Sequence, residues 1–496
     1  MAEEHDEPQQ RAGHRARRLL AHLLDELGLA SLHACPRDVK LLCAQRLVRL
    51  FAYGASTLVL VAFLQELGVS RARAGLFMTL TLAGDVAISF ALTLFADALG
   101  RKAVLALGAV LMAASGVVFA LAENYWVLLA AAVFGVISPS GNEIGPFRAI
   151  EESVVAHLTP SASRSDVYAW YSLSGTAGTA FGMVTCGWAI HALTTRAAWE
   201  LVDAYRAVFF GYAALGIVKL MLTLMLTGAV EAEKQPKKVT SAEGDGERAP
   251  LLADGNGGQE TAVEQQLEDD EPKGRSRLRS LLPDISRESV SVMISLCVLF
   301  ALDSFASGLA PLSWMTFFFR SQYGLEEGKL GSVFFVTSIV AAASMLVASS
   351  LAKRFGNINT MVFTHLPSAI FLALIGVPND VHLSLAFLVL RACTQSMDVA
   401  PRSAFLAAIV LPGERTAVMG TVNVVKTTAQ SVGPFITGVL AGRKLFWVAF
   451  AAAGTLKACY DLGMLALFKN HEREKADRER VLAQRRGEAD EERGSS

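Results

Sequence analysis

Twelve apolar blocks of about 20 residues dominate the sequence, and they restrict its fold more than any other feature. The blocks cover approximately 42–66, 72–96, 103–122, 126–150, 166–192, 203–228, 289–315, 328–352, 360–377, 381–404, 416–440 and 445–468. A helix of about 20 apolar residues crosses a hydrocarbon core roughly 30 Å thick. Composition agrees, since 52% of the residues are hydrophobic and 18% are charged, against about 45–50% and about 25% in soluble chains. The sequence therefore predicts an all-α integral membrane protein with twelve transmembrane helices in a lipid bilayer.

Polar segments divide these blocks into two sets of six. We expect a cytoplasmic N-terminal segment with an amphipathic helix (1–40), a six-helix bundle (41–228), a disordered cytoplasmic linker (229–288), a second six-helix bundle (289–468) and a charged cytoplasmic tail (469–496). Lys and Arg concentrate in the N-terminal segment, the linker, the tail and two short loops. By the positive-inside rule these segments, and both termini, face the cytoplasm. The net charge of −1 argues against a nucleic-acid partner.

The two halves also resemble each other in sequence. "FADALGRKAVL" ends the second block and "LAKRFGNINTM" ends the eighth, about 250 residues later. Pro160 and Arg164 before the fifth block correspond to Pro412 and Arg415 before the eleventh. Parallel repeats of six helices, related by an axis along the membrane normal, are typical of transporters with a substrate site between the halves.

The loop "DALGRK" carries a family resemblance. It resembles the motif G-x-x-x-D-[RK]-x-G-[RK]-[RK] between the second and third spans of the major facilitator superfamily, and it keeps Asp97, Gly100, Arg101 and Lys102. It departs from that motif at Thr93 and Ala98. The resemblance covers roughly residues 41–469 and implies two pseudo-symmetric six-helix bundles. It also implies that Asp97, Arg101 and Lys102 form a gating latch between the halves, which closes the cytoplasmic side in one state.

Charged residues occur inside several predicted spans, where each costs roughly 2.5–3.5 kcal/mol at the bilayer centre. The fourth span continues into "SPSGNEIGPFRAIEES", which contains Glu143, Arg148, Glu151 and Glu152. Pro139 and Pro146 in the same stretch predict a broken or bent helix. Irregular backbone at membrane depth is tolerated only against protein or a water-filled cavity. The fourth span is therefore predicted to line a hydrated solute pathway.

Other predicted spans carry charges as well. Arg391, Gln395, Asp398 and Arg402 are spaced to form one polar stripe along the tenth helix. Further charges are Arg49 in the first span, Asp85 in the second, Asp303 in the seventh and Lys426 in the eleventh. An alternative is that such groups form permanent ion pairs, for example Arg49 with Asp85 or Arg148 with Glu152. His365 and Lys457 are expected near the membrane interfaces, without a role.

These residues supply the candidate site. The predicted substrate-binding residues are Arg49, Glu143, Arg391, Asp398, Arg402 and Lys426, since Arg and Lys can hold an anionic or polar group. A desolvated carboxylate can carry a proton, and Asp303 is the first candidate for proton coupling, followed by Glu143 and Asp85. A balanced set of charges also permits a zwitterion or an amphipathic cation, so the substrate class stays open. No catalytic residue, metal site or cofactor is predicted.

The linker contains "ERAPLL", which matches an acidic dileucine signal through Glu247, Leu251 and Leu252. Such a segment offers one carboxylate and two leucines to a sorting adaptor. It resembles signals on eukaryotic transporters of vacuoles and lysosomes. The sequence therefore predicts a vacuolar or lysosomal type of membrane in preference to the plasma membrane.

The leading hypothesis is a secondary transporter that moves a small polar or charged solute by alternating access, coupled to protons as a symporter or antiporter. The alternative is a receptor or sensor of the same fold that does not transport. An enzyme is disfavoured because HExxH, GxSxG and P-loop motifs are absent from the sequence.

Overall fold

The computed structural model describes residues 29–135, 137, 146–160, 163–231, 287–409 and 415–469. Within these ranges the backbone forms helices α1 to α16 and one 3-10 turn, Gly228–Val230, and no strand. The first half contains α1 (Leu29–Ala34), α2 (Arg37–Glu66), α3 (Arg71–Leu99), α4 (Arg101–Leu121), α5 (Tyr125–Gly135), α6 (Pro146–Leu158), α7 (Arg164–Thr195) and α8 (Leu201–Leu224). The second half contains α9 (Arg287–Leu309), α10 (Leu312–Tyr323), α11 (Glu327–Phe355), α12 (Asn357–Leu374), α13 (Val381–Thr394), α14 (Val399–Ile409), α15 (Arg415–Gly442) and α16 (Phe446–Lys469).

Seven segments in the described ranges, with α9 and α10 counted together as one, are long and apolar enough to cross a membrane. The remaining membrane segments are shorter helices in pairs or longer helices that carry polar residues. Counted in chain order, the twelve segments are α2, α3, α4, α5 with α6, α7, α8, α9 with α10, α11, α12, α13 with α14, α15 and α16. The predicted fold class, an all-α integral membrane protein with two six-helix halves, is confirmed.

Three segments are interrupted, and the sequence predicted only one of them. The fourth segment consists of two helices, and α6 begins at Pro146, a first-turn position that proline tolerates because it lacks an N–H. The seventh was predicted as one helix over 289–315, but Pro311 separates α9 from α10, which continues to Tyr323. The tenth was predicted as one helix over 381–404, but turns at 395–398 separate α13 from α14. Pro401 has no N–H to donate to the preceding turn, which favours a break there.

Small residues in the fifth segment allow two helices of the first half to pack closely. A Cβ added at Gly178 would lie 2.5 Å from the backbone oxygen of Leu47, and one added at Gly182 would lie even closer to that of Phe51. Close backbone approach through Gly is the usual way in which helices associate in membranes. Helix α7 therefore packs directly on α2.

The two halves meet along α3 with α15, α7 with α11 and α2 with α10. Hydrogen bonds that join them include three near one end of the bundle: the guanidinium of Arg71 donates to the Ala441 oxygen (2.9 Å), the Trp188 indole to the Ser332 hydroxyl (3.0 Å) and the Tyr205 hydroxyl to Glu327 (2.8 Å). We call these three the distal contacts. They lie toward the ends of the helices that are opposite to the loop at Gly100.

The internal repeat is visible in the backbone. Gly100 has a φ of 90° and Gly356 a φ of 83°, a region that L-residues with a Cβ rarely adopt. Each glycine directly precedes the third membrane segment of its half, α4 or α12. The glycine shared by "LGRK" and "RFGN" is therefore explained by the same tight turn in both halves.

Candidate functional site

A cavity of about 340 Å³ lies inside the second half. Residues of α9, α10, α11, α12, α13, α15 and α16 line it, together with the breaks that follow α9 and α13. The breaks bring backbone and side chains of the seventh and tenth segments to the cavity, which is consistent with irregular backbone being tolerated next to a polar space. Its uncharged polar lining residues are Ser307, Thr337, Ser338, Gln395, Ser396 and Gln430. The size is at the lower end of small-molecule sites, roughly 300–1,000 Å³.

Two cationic side chains line this cavity, Arg391 and Lys457. Arg391 lies near the end of α13, and its described hydrogen bond runs from Nη1 to the sulfur of Met315 at 3.6 Å. Its Nε is buried without a hydrogen-bond partner in the described part of the chain. A thioether is a weak acceptor. Arg391 therefore keeps unused donor capacity toward the cavity.

Lys457 belongs to a buried network with Asp303, Arg402 and Asp398. Its Nζ lies 2.5 Å from Asp303 Oδ1 and donates to the Ser307 hydroxyl at 2.9 Å. Arg402 lies 3.3 Å from Asp303 Oδ2 and 3.0 Å from Asp398 Oδ2. Two cations and two carboxylates thus balance one another, which is how ionised groups are accommodated at membrane depth. The structure brings three of the predicted site residues, Asp303, Asp398 and Arg402, into one cluster.

The expectation that Lys457 and His365 lie near the membrane interfaces is wrong. Lys457 is 7% exposed and stands in the middle of α16, and His365 is buried beside Asp461 with Nδ1 2.9 Å from Oδ1. Sequence analysis assigned them no role because each is a single polar residue in an apolar block. A lone lysine at the centre of a predicted span, with its insertion cost, was the signal that pointed to a buried ion pair.

Lys426 lies on α15 beside the same network. Its ammonium group is 5.3 Å from the centre of the Phe300 ring, and the Arg402 guanidinium is 6.0 Å from that ring. Both cations thus share one aromatic surface of α9, within the range of a cation–π contact. Lys426 is not a lining residue of the cavity.

A second buried cluster forms in the first half around Glu151. Arg49 Nη2 lies 2.7 Å from Glu151 Oε2, the Tyr171 hydroxyl donates to the same oxygen at 2.6 Å, and Lys219 Nζ lies 3.9 Å from Oε1. Glu151 and Lys219 were missed as members of a site. Arg49 thus pairs with the fourth segment rather than with Asp85.

Asp85 lies in α3 and is 3% exposed. Neither of its carboxylate oxygens has a hydrogen-bond partner among the described residues. Arg49 and Tyr212 act on it electrostatically, but the described hydrogen bond of Arg49 goes to Glu151. Asp85 therefore differs from Asp303, whose two oxygens both contact cations.

The gating motif is described in part. A carboxylate from the end of the first half, Glu231, accepts the backbone N–H of Arg101 at 2.7 Å and of Lys102 at 3.1 Å. The Lys102 ammonium donates to the oxygens of Leu224 and Leu226, at the end of α8. These contacts join the motif loop to its own half. The Asp97 side chain, Glu143, the Arg148 side chain and the dileucine pattern Glu247, Leu251 and Leu252 lie outside the described residues.

Comparison with known proteins gives one match among curated proteins and several among solved structures. The chain is 38% identical over 442 residues to the uncharacterized membrane protein YJR124C of Saccharomyces cerevisiae, covering 87% of this chain and 94% of the yeast protein. A model of the Major Facilitator Superfamily matches residues 42–390 and, in a second match, 293–487.

Solved structures with a similar fold are transporters of the same architecture. A POT family transporter in complex with a thioalcohol-conjugated peptide has a TM-score of 0.63 at 13% identity, covering 88% of this chain and 96% of that one. A D-xylose–proton symporter has a TM-score of 0.62 at 15% identity, and the match covers 86% of this chain and 96% of the symporter. A bacterial homolog of the human lysosomal transporter Spinster has a TM-score of 0.56 at 16% identity, and the match covers 86% of this chain and 94% of the homolog. The chain belongs to the Major Facilitator Superfamily of membrane transporters.

Proposed function

We propose that the protein is a proton-coupled secondary transporter that moves a small polar or charged solute by alternating access. The observation that carries this proposal is the cavity of about 340 Å³ inside the second half, with an incompletely bonded arginine at its wall. A polar cavity at membrane depth is costly unless it serves a hydrated or ligand-bound state.

The distal contacts support a two-state cycle. Arg71, Trp188 and Tyr205 join the halves at one end of the bundle, and rocking of one half against the other has to break these bonds. With the Lys- and Arg-rich segments on the cytoplasmic side, the distal contacts close the face away from the cytoplasm. The described conformation then corresponds to an inward-facing state, and the latch of Asp97, Arg101 and Lys102 acts in the opposite state.

Asp85 is the leading candidate for the proton carrier. An isolated carboxylate in a low-dielectric interior is costly, and taking up a proton removes its charge. Asp85 is buried without a described hydrogen bond, whereas Asp303 contacts Lys457 and Arg402. The sequence alone places Asp303 first among the candidate proton carriers. We now place Asp85 first, followed by Asp303 and Glu143.

Arg391 is the leading candidate for binding the solute, because it lines the cavity. Arg402 and Asp398 rank second as solute-binding candidates, because their described contacts belong to the network with Asp303. We also propose that Arg49, from the first half, and Lys426, from α15, take part in binding the solute. For localisation we propose a vacuolar or lysosomal type of membrane, reached through a sorting adaptor that binds Glu247, Leu251 and Leu252.

A ligand screen followed by flux measurement tests the transporter function. Thermal stability of the purified protein is measured against a solute panel at an acidic and at a neutral pH. A ligand present at about 100 times its Kd adds roughly 2.7 kcal/mol to the folded state. Stabilising solutes are then assayed for uptake into proteoliposomes with and without a pH gradient. Uptake that depends on the gradient supports the proposal, whereas binding without any flux favours the receptor hypothesis.

Substitution of the carboxylate tests the coupling. Asp85→Asn should abolish accumulation driven by the pH gradient and leave solute exchange without a gradient intact. Asp203→Asn is the matched control, since Asp203 is an exposed residue at the beginning of α8. Accumulation that persists unchanged in Asp85→Asn contradicts the assignment of Asp85.

A further inference from the structure

The charges around the second-half cavity are unequal in a way that restricts the solute. The described lining residues include two cations, Arg391 and Lys457, and neither Asp nor Glu. A site for a cationic solute places a carboxylate or an aromatic cage at the ligand. The part of the lining that the structure describes offers one aromatic ring, Phe334, and no acidic group.

The charge of Lys457 is already balanced. Lys457 lies 2.5 Å from Asp303, and Arg402 bridges Asp303 and Asp398. Two positive and two negative groups therefore cancel within this network. A solute group bound there has to displace an existing ion pair.

Arg391 has no such balance. Its described hydrogen bond goes to a thioether sulfur, and its Nε is buried without a partner in the described ranges. A guanidinium presents five donors in a planar fork that fits a carboxylate bidentately. A buried guanidinium N–H without an acceptor is unfavourable. The guanidinium of Arg391 therefore has donor capacity that an anionic group can use.

We propose that the solute is a small organic anion with a single carboxylate, which Arg391 binds through its guanidinium fork. This proposal rests on the proposed function as a transporter and names its substrate class. One unbalanced cation matches one negative charge. The hydroxyls of Ser307 and Ser338 and the amide of Gln395 offer hydrogen bonds to polar atoms of the solute. Leu312, Phe334 and Leu388 contact its hydrocarbon part, and the volume of about 340 Å³ restricts its size.

Charge-matched probes test the class directly. Each of three series keeps one carbon skeleton and varies its terminal group from a carboxylate to a neutral amide and to an amine. The series are phenylacetate, phenylacetamide and phenethylamine; hexanoate, hexanamide and hexylamine; and gluconate, gluconamide and glucamine. Thermal stability of the purified full-length protein is measured with each. We expect stabilisation by at least one carboxylate and none by its amide or amine. Stabilisation by an amine alone, or by no carboxylate, overturns the proposal.

Substitutions at Arg391 assign the effect to this site. Arg391→Gln should weaken the apparent affinity for the stabilising carboxylate by ~10- to 100-fold, the usual value of a charge-assisted pair. Arg391→Lys should keep part of it, because a point charge remains but the fork is lost. Arg206→Gln is the matched control on the first half, where Arg206 pairs with Glu123. Equal affinity in wild type and Arg391→Gln contradicts the assignment.

The ligand-free protein supplies a check on folding. Since the Nε of Arg391 is buried without a described hydrogen-bond partner, Arg391→Gln without ligand should melt at the wild-type temperature or above it. A large loss of thermal stability means that Arg391 holds the fold together and contradicts its assignment to a ligand.

Flux measured with the same probes separates the two proposals. Arg391-dependent binding of a carboxylate without uptake into proteoliposomes retains the ligand class and rejects the transport function. Uptake of an amide or amine that does not depend on Arg391 retains transport and rejects the ligand class.

Discussion

The buried network of the second half leads to a quantitative prediction for Lys457→Met. The methionine keeps the length and apolar stem of lysine but removes its charge. Asp303 and Lys457 are 6% and 7% exposed, and their charged atoms lie 2.5 Å apart. Removing one partner of a buried ion pair costs about 3–5 kcal/mol, because the other charge stays buried and uncompensated. Arg402 still reaches Asp303 at 3.3 Å, so we expect a loss near the lower end, about 3 kcal/mol.

A double substitution distinguishes this cause from simple loss of packing. Asp303→Asn combined with Lys457→Met removes one charge of each sign and leaves Arg402 paired with Asp398. We expect the double variant to recover more than half of the loss, so the coupling energy should be at least about 1.5 kcal/mol in addition to the cost of Asp303→Asn alone. Were the loss due to packing alone, the two substitutions would add.

Equilibrium unfolding of the purified protein in mixed micelles measures these free energies. Lys444→Met, in the exposed loop before α16, is the matched control and should lie within about 0.5 kcal/mol of wild type. A loss below about 1 kcal/mol for Lys457→Met would refute the reasoning, as would a double variant that is less stable than either single one.

Three further predictions concern the helix contacts, the motif loop and the distal contacts. Gly178→Ala should destabilise the protein by about 1–3 kcal/mol, because the added methyl meets the α2 backbone at 2.5 Å, whereas Gly211→Ala, which meets nothing within 4 Å, should be neutral; thermal melting of both variants checks this. Glu231→Gln should cost about 1 kcal/mol, because a carboxylate that accepts the first N–H groups of α4 is lost, and the same melting experiment would contradict it by showing no change. Glu327→Gln should weaken the hydrogen bond from Tyr205 and shift the population toward the state that is open at the distal end. Spin-label distances between α7 and α11 measure this shift. An unchanged distance distribution would show that the distal contacts do not stabilise the state that is closed at that end.

Much of the architecture follows from local sequence. Twelve apolar blocks determine the number of membrane segments, because lipid satisfies no backbone hydrogen bond and each span has to be a helix. Gly100 and Gly356 indicate the repeat, since both take a positive φ. Small residues such as Gly178 and Gly182 in the fifth segment are typical of close helix packing, and the structure shows that the partner is α2.

The breaks at Pro311 and before Val399 were not predicted. A window of apolar residues reports the length of a span but not its interruption. Proline occurs in intact as well as broken membrane helices, because neighbouring groups can satisfy the freed backbone. Both breaks border the cavity, where irregular backbone is tolerated, and that neighbourhood is visible only in the tertiary structure.

The composition of the site divides in the same way. Sequence alone determined that charges such as Asp303, Arg391 and Arg402 lie within membrane segments and have to face protein or water, since each is too costly against lipid. Only the tertiary structure decided which of them are balanced. Asp303 pairs with Lys457, which lies 154 residues later in the chain, and Arg49 pairs with Glu151 at a separation of 102 residues. The Nε of Arg391, by contrast, is buried without a described partner. The reason is that pairing depends on distances between helices, and a sequence specifies the spacing of residues only along one helix.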